Sequence, residues 1–407
     1  MSAKLAETFS IAGEPTSVPI PRGLQEQLIA LRRELHRQPE LAFMEERTGL
    51  ALLRELSALS PRRIGRVART GVVARIAGRR ASAPVVAIRG DIDALPIQEA
   101  TGLPFASENA GVMHACGHDV HATWTVGAAA LLTAEPAEGD VIIILQPAEE
   151  TGEGALAVLE SGALDGVRAI FGGHVDRRFT VGQVVAQSGA LAASADNFDI
   201  ELVGRGAHGA RPHEAADPIV GMAALITALQ TIVSRSVNPA LPAVVSVGMV
   251  SAGRAPNVIP DRATVRGTLR ATDDDTRALL QKEVRNIAEH VALAHKLEAR
   301  VTIDHGVPPV INTEEAATWA REAAIIALGP DAVVPLGGVN MAAEDFAWYL
   351  QKIPGCFLRF GARRPGEQVI PAHSPTFDVV EDAILVGARV LAESARRASA
   401  ALSKGTA

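Results

Sequence analysis

The chain has 407 residues, more than one ordinary hydrophobic core takes, so two domains are expected. Apolar residues make up 48%, charged residues 21% and aromatics only 3%, a globular mixture whose core must rest on Ala, Val, Leu and Ile. A formal net charge of -7 with no long basic run argues against a nucleic-acid partner.

Met1 to Gly23 lacks the basic start and apolar stretch of a secretory signal. No window approaches the roughly 18 apolar residues that a membrane span needs. Two cysteines, Cys116 and Cys356, give no disulfide framework. The expected location is therefore the cytoplasm, with neither membrane nor nucleic acid as partner.

Leu24, Leu28, Leu31 and Leu35 recur at helical spacing, which predicts an amphipathic helix over 22–37, followed by a second over about 47–59. Strands and helices then alternate. Pro84 to Ile88 reads as a buried strand ending in Arg89-Gly90-Asp91. Val120 to Leu132 reads as an Ala-rich helix, and Val141 to Leu145 as a strand ending at Gln146-Pro147. A helix near 154–159 and a short strand at 169–171 complete an α/β pattern with a largely parallel sheet. After about Ala190 the character changes. Asn197 to Val203 alternates as a half-exposed strand does. A helix over 218–234, strands near 243–250 and 263–270, a helix over 273–294 with Asp273 as N-cap, and a strand near 298–303 follow. That is the element order of a small α+β sandwich inserted over 192–305. The α/β pattern resumes after Pro308-Pro309.

Five segments carry chemistry. Met113 to His121 crowds Cys116, His114, His118, His121 and Asp119 between a turn and a helix, which suggests a metal site more than a redox pair. A capped helix start would explain Asp119 and leave the polar surplus around it without a reason. Gln146-Pro147-Ala148-Glu149-Glu150 follows a wholly apolar strand, and adjacent carboxylates repel unless a cation or proton separates them. Gly172-Gly173-His174-Val175 and Asp91-Ile92-Asp93 also follow strands. Ligands of open α/β sheets gather beyond the carboxyl ends of strands, so three strand ends bearing metal-competent residues along one edge point to a site there. The fifth segment, Pro371-Ala372-His373-Ser374-Pro375, reads by itself as a loop histidine.

These segments resemble the M20 metallopeptidase family, in particular its amidohydrolase branch of N-acyl-amino-acid amidohydrolases, hippurate hydrolases and auxin-conjugate hydrolases. The matching stretches are LRRELHRQPELAFME (31–45), RGDIDALPIQE (89–99), MHACGHDVHAT (113–123), QPAEETGEGA (146–155), FGGHV (171–175), GRGAHGARPHEAADPI (204–219), APNVIPD (255–261), AEDFAWYL (343–350) and AHSPTFD (372–378). They keep the family's order over nearly the whole chain. Gly90 stands where Ala is frequent, Ala343 where Ser or Gly is frequent, and Arg177-Arg178 where a less charged loop is usual. Solvated surface arginines are the expected reading of that pair.

The resemblance implies a zinc-peptidase-like α/β catalytic domain, residues 1–191 and 306–407. The inserted α+β, ferredoxin-like domain, 192–305, would serve as lid and dimerisation surface of a homodimer or higher homo-oligomer. It implies two divalent metal ions per subunit, zinc or manganese, held by Cys116, His118, Glu150, His174 and His373, with the Cys116 thiolate between them. Two such ions would sit about 3.5–4 Å apart. Glu149 would be the general base, taking a proton from water and delivering it to the leaving amine; the assignment between Glu149 and Glu150 rests on the resemblance, not on spacing. Asp93 would orient a ligand from behind, with a turn role for Asp91 or Asp93 on equal terms. His208 would hold the oxyanion from the partner subunit's domain and Asn257 would bind substrate, although the glycines around His208 equally suit a flexible turn. His213 reads as packed beside Pro212, His114 and His121 as supports of the metal loop, Cys356 as a core residue, and His36, His290, His295 and His305 as surface or satisfied core groups.

The implied reaction is hydrolysis of an N-acyl-L-amino acid, such as an N-acetyl or N-benzoyl amino acid, to a carboxylate and a free amino acid. A dipeptidase with the same metal core is the enzymatic rival; it needs an acid to recognise the free amine, and none is identifiable. A metal sensor without catalysis would lack the base or a ligand, and all six residues are present. An interaction module gives no reason for ligands at strand ends.

Overall fold

The computed structural model describes residues 20–405. In chain order these form α1 (Leu24–Arg37), α2 (Glu46–Ala58), β1 (Arg63–Val67), β2 (Gly71–Ile76), β3 (Val85–Asp91), α3 (His118–Ala134), β4 (Val141–Gln146), α4 (Gly154–Glu160), β5 (Val167–Thr180), β6 (Val184–Val185) and β7 (Gly189–Ala192). There follow β8 (Asp196–Val203), β9 (Ala207–His208), α5 (Pro218–Leu229), β10 (Ala243–Ala252), β11 (Val258–Ile259), β12 (Arg262–Ala271), α6 (Asp274–Ala294) and β13 (Glu298–Asp304). The chain ends with β14 (Val310–Asn312), α7 (Glu314–Leu328), α8 (Ala347–Leu350), β15 (Gly355–Arg363) and α9 (Asp382–Lys404).

The described chain forms two compact units. One comprises the residues up to Ser188, Asn312–Leu336 and the chain from Tyr349; the other comprises Gly189–Ile311 and Gly337–Trp348. Residues 337–348, expected with the α/β part, group with the second unit, where Ala193 N–H donates to the carbonyls of Asn340 and Ala342.

The first unit is built on a seven-stranded sheet of order β1-β2-β4-β3-β5-β15-β6. Its four middle strands, β4, β3, β5 and β15, run parallel, and the flanking pairs are antiparallel. Every residue of β4 is buried, which is why its sequence VIIILQ is apolar without alternation. α3 packs on β3 and α9, and α9 crosses β5. α3 is buried from His118 to Leu132, and its run of alanines keeps it thin enough to lie between other elements. Leu24, Leu28, Leu31 and Leu35 of α1 are buried as their spacing requires, each contributing roughly 1.5–3 kcal/mol. The sequence reading passed over β1 and β2, whose short apolar stretches are interrupted by Arg and Gly, and it cut β5 short. His174 therefore lies within a 14-residue strand rather than after one.

The second unit holds a four-stranded sheet of order β10-β12-β8-β13, every ladder antiparallel, with α5 and α6 packed on it. The burial of β8 alternates along the strand, so one face is covered. Both helices start at an aspartate: Asp217 accepts from the N–H groups of Ile219 and Val220, and Asp273 accepts from Thr276 N–H at 2.7 Å. One expectation needs correction. Pro218–Ser236 is long and apolar enough to cross a membrane by length and composition. It was missed because small residues and Thr dilute the apolar run. In the structure it divides into α5 and a π-helical turn over Ile232–Ser236.

Candidate metal centre

The site grows from the carboxyl ends of parallel strands. Asp91 ends β3 opposite Gln146 at the end of β4, so the segments carrying Asp93 and Glu149-Glu150 leave the sheet side by side. His174 lies on β5, the other neighbour of β3. Cys116 and His118 flank Gly117, the N-cap of α3, whose φ of 86° lies in the left-handed region. A Cβ there would also stand 2.6 Å from a Val175 methyl, so only glycine lets the loop turn and sit against β5. The Glu149-Glu150 turn is held by Glu45, a buried acid the sequence reading did not single out. Its carboxylate accepts from Ala148 N–H at 3.0 Å and from the Thr70 hydroxyl at 2.5 Å. Its burial raises its pKa, against these hydrogen bonds.

Two groups of donor atoms meet at one sulfur. Cys116, His118 and His174 offer atoms all within 4.8 Å of one another, and so do Cys116, Glu150 and His373. Cys116 Sγ is 3.2 Å from His174 Nε2. Glu150 Oε1 lies 3.4 Å from His373 Nε2 and 3.9 Å from His118 Nε2. Glu149 stands within 3.8 Å of His118 and joins neither cysteine group.

The imidazoles are oriented from behind. His118 Nδ1 lies 3.1 Å from an Asp93 carboxylate oxygen, and His174 Nδ1 donates to the Val175 carbonyl at 2.7 Å. With the protons there, the Nε2 lone pairs face the cysteine, the arrangement that metal-bound histidines need. His118 Nε2 and Glu150 Oε1 are buried and make no hydrogen bond among the described residues. Buried polar atoms left without hydrogen bonds are costly, and a cation between them would remove the cost.

The electrostatics point the same way. Burial, and then the Glu150 charge, push the Cys116 thiol up. His118 is raised well above its ordinary value, because the charge of Asp91 and the hydrogen bond to Asp93 outweigh burial. His174 goes the other way: burial, and then the charges of His121 and Arg359, hold it well below its ordinary value, which keeps its ring neutral as a ligand must be, and a thiolate at Cys116 requires a cation beside it. His121 is a different case. Its Nδ1 is 2.7 Å from Asp91, and its Nε2 accepts from Val175 N–H at 3.0 Å. Both nitrogens are committed, so His121 braces β5 rather than offering a ligand. Asp91 is buried, and the charges of His118, His121 and Arg89 hold its carboxyl far below the usual range against that burial. Arg89 Nε donates to Gln146 Oε1 at 2.8 Å, which also accepts from the Tyr349 hydroxyl at 2.9 Å. Arg89 and Tyr349 were missed at the sequence level. An arginine inside an apolar strand and the chain's single tyrosine were the available signals.

Residues 87–397 match the family described as Peptidase family M20/M25/M40. The chain belongs to this family. It is 42% identical over 382 residues to the N-acetyl-L-cysteine deacetylase of Bacillus subtilis, covering 92% of this chain and 88% of that one. It is 36% identical over 374 residues to the IAA-amino acid hydrolase ILR1-like 2 of Arabidopsis thaliana, covering 90% and 84%. A solved dinuclear metal-binding peptidase of the M20 family from Bacillus subtilis superposes with a TM-score of 0.82 at 38% identity, covering 92% of this chain and 98% of that one.

Not all the expected residues of this M20 hydrolase meet at the cysteine. His208 and Asn257 belong to the second unit, where they are exposed neighbours: β9 pairs with β11, placing Val258 opposite His208, and Gly209 N–H donates to the Asn257 carbonyl at 2.8 Å. His213 is exposed and 3.8 Å from Glu214, not packed as expected. His114 is buried with neither ring nitrogen hydrogen-bonded among the described residues, and burial lowers it to about 4. His36 is a satisfied core group bonded to Asp119 at 2.8 Å and Glu99 at 3.3 Å. The arginine pair separates. Arg178 is exposed and pairs with Asp176, as expected of a surface arginine, whereas Arg177 is only 8% exposed. Its donors find acceptors in the 367–378 segment, and that draws it inward.

Proposed function

We propose that this chain hydrolyses N-acyl-L-amino acids, releasing a carboxylate and a free amino acid, with two divalent metal ions held by Cys116, His118, Glu150, His174 and His373. The observation that carries the reading is the single sulfur shared by two donor groups, with His118 Nε2 and Glu150 Oε1 buried and without hydrogen bonds around it. The mixed sulfur, imidazole and carboxylate set suits zinc and manganese alike. Metals held there would lower the pKa of water to about 7, making hydroxide available at neutral pH.

The protein's part is to place and move protons. Glu150 is committed beside Cys116 and His373, so Glu149 is the acid assigned to take the proton of the attacking water. It then delivers that proton to the amide nitrogen as the C–N bond breaks. Asp93 holds His118 in its tautomer and ties down Glu150. His208 is assigned to the oxyanion and Asn257 to the substrate, supported by the pairing of β9 with β11, which Asn257 immediately precedes, and by the hydrogen bond from Gly209 N–H to the Asn257 carbonyl.

The second unit is assigned the roles of lid and dimerisation surface. Ile219 and Val220 of α5 and Met249 and Val250 of β10, the edge strand, are exposed apolar residues, which supports a homodimer through this unit. Two free cysteines suit the reducing cytoplasm. The relatives named as an N-acetyl-L-cysteine deacetylase and an IAA-amino acid hydrolase support small or aromatic acyl groups.

The test is an assay of the metal-stripped protein on N-acetyl, N-benzoyl and N-indoleacetyl amino acids beside dipeptides, with zinc, manganese or no metal added. Metal-restored cleavage of acyl amino acids is the expected result. Cleavage of dipeptides alone would move the assignment to a peptidase.

A further inference from the structure

The segment that carries His373 is fastened at two places by one guanidinium. Arg177 lies on β5, three residues beyond His174. Its Nη1 donates to the Asp378 carbonyl. Its Nη2 donates to the Gln368 carbonyl at 3.2 Å and, more weakly, to the Glu367 carboxylate at 3.5 Å. The entry to the segment is held to the same strand, since Arg363 Nε donates to the Arg177 carbonyl at 2.8 Å. Asp378 is gripped a second time by buried Arg32, whose Nη2 donates to its carboxylate at 2.9 Å. At the tip, His373 takes a φ of 66°, and its N–H donates to the Ala115 carbonyl at 2.8 Å, one residue before Cys116.

A loop closed only at its tip keeps much of its freedom, and that freedom opposes holding a side chain in one place. The planar fork of an arginine can hold two carbonyls at once in fixed directions, which a lysine ammonium on a flexible stem does less well. Here the two carbonyls stand on either side of His373. We propose that Arg177 is a positioning residue for His373: by holding Gln368 and Asp378 against the strand that carries His174, it presents the His373 imidazole to Cys116 and Glu150. This rests on the reading of His373 as a metal ligand. Arg177 makes no hydrogen bond or ion pair with the five ligand side chains among the described residues, so its effect passes through the loop.

The experiment uses the full-length, metal-stripped protein titrated with zinc against a competing chelator, giving two affinities for wild type, Arg177→Met, Arg177→Lys, Arg178→Ala and His373→Ala. His373→Ala identifies which of the two metals depends on that ligand. Arg177→Met is expected to weaken the same metal by about tenfold or more and to leave the other within about twofold, the size of effect typical of groups that orient a ligand. Arg177→Lys is expected to fall between, and Arg178→Ala to match wild type. Protease cleavage between 364 and 378 should rise in Arg177→Met with the melting temperature of the rest preserved. If Arg177→Met does not fold, Arg177→Lys decides by the same criterion. Unchanged affinities in the folded Arg177 variants, or both affinities falling in parallel with the melting temperature, overturn the proposal. His373→Ala binding both metals as wild type does would instead overturn the ligand reading, and this proposal with it.

Discussion

Asp93 binds Glu150 through the backbone: one carboxylate oxygen accepts from the Glu150 N–H at 3.0 Å, while the other lies 3.1 Å from His118 Nδ1. One short side chain thus sets the direction of an imidazole and of the turn that carries a carboxylate. Asp93→Ala should therefore weaken metal binding by about 10–100-fold, the usual effect of losing a group that orients a ligand. Chelator competition measures this directly. Wild-type affinity in the variant would reduce Asp93 to a turn residue.

Cys116 belongs to both donor groups, and His174 and His373 to one each. Cys116→Ala should lower the content of both metals, whereas His174→Ala and His373→Ala should each chiefly lower one. Elemental analysis of the purified variants gives the stoichiometry. A Cys116→Ala protein that retains two tightly bound metals would refute the shared sulfur.

Glu149→Gln removes a proton acceptor and leaves the shape of the side chain nearly intact. The expected loss in kcat is about 10²–10⁴-fold, with two metals still bound. The same loss accompanied by missing metal would make Glu149 a ligand instead.

His36 predicts a pH dependence of stability. Burial disfavours its charged form, but the charge and hydrogen bond of Asp119, with help from Glu99, outweigh it and raise the ring from 6.5 to about 9. Between these values the folded protein holds a proton that the unfolded chain releases. The contribution, on the order of 3 kcal/mol, is therefore complete below about pH 6.5 and is lost as pH rises through 9. His36→Gln should flatten the fall in melting temperature over that window. An unchanged slope would mean that other groups cause it.

Much of the candidate site was legible because metal chemistry needs unusual residue types next to apolar strands. Cys116, His118 and the Glu149-Glu150 pair stood out for that reason, and the strand-end rule grouped them with Asp93 and His174. His373 could not be found that way, since a lone loop histidine has no local signature; the resemblance supplied it. Burial of Arg177 was illegible because its three acceptors lie about 190–200 residues later in the chain. The full length of β5 was hidden by Gly172, Gly173 and three charged residues, which local preference places outside strands but which central pairing with β15 overrides. The α+β order of the second unit was readable from alternation alone, because its sheet is covered on one face.

The place of β15 bears on how the protein is made. β5 and β6 are near neighbours in the chain, yet β15 lies between them in the sheet. A ribosome that has released only the first 350 residues has therefore produced a sheet with a gap beside the strand that bears His174. Folding of the first unit must wait until β15 has emerged, and such long-range closure is slow. Until it happens, the exposed edge of β5 is open to pairing with another chain, so the interval between the synthesis of β5 and that of β15 carries an aggregation risk.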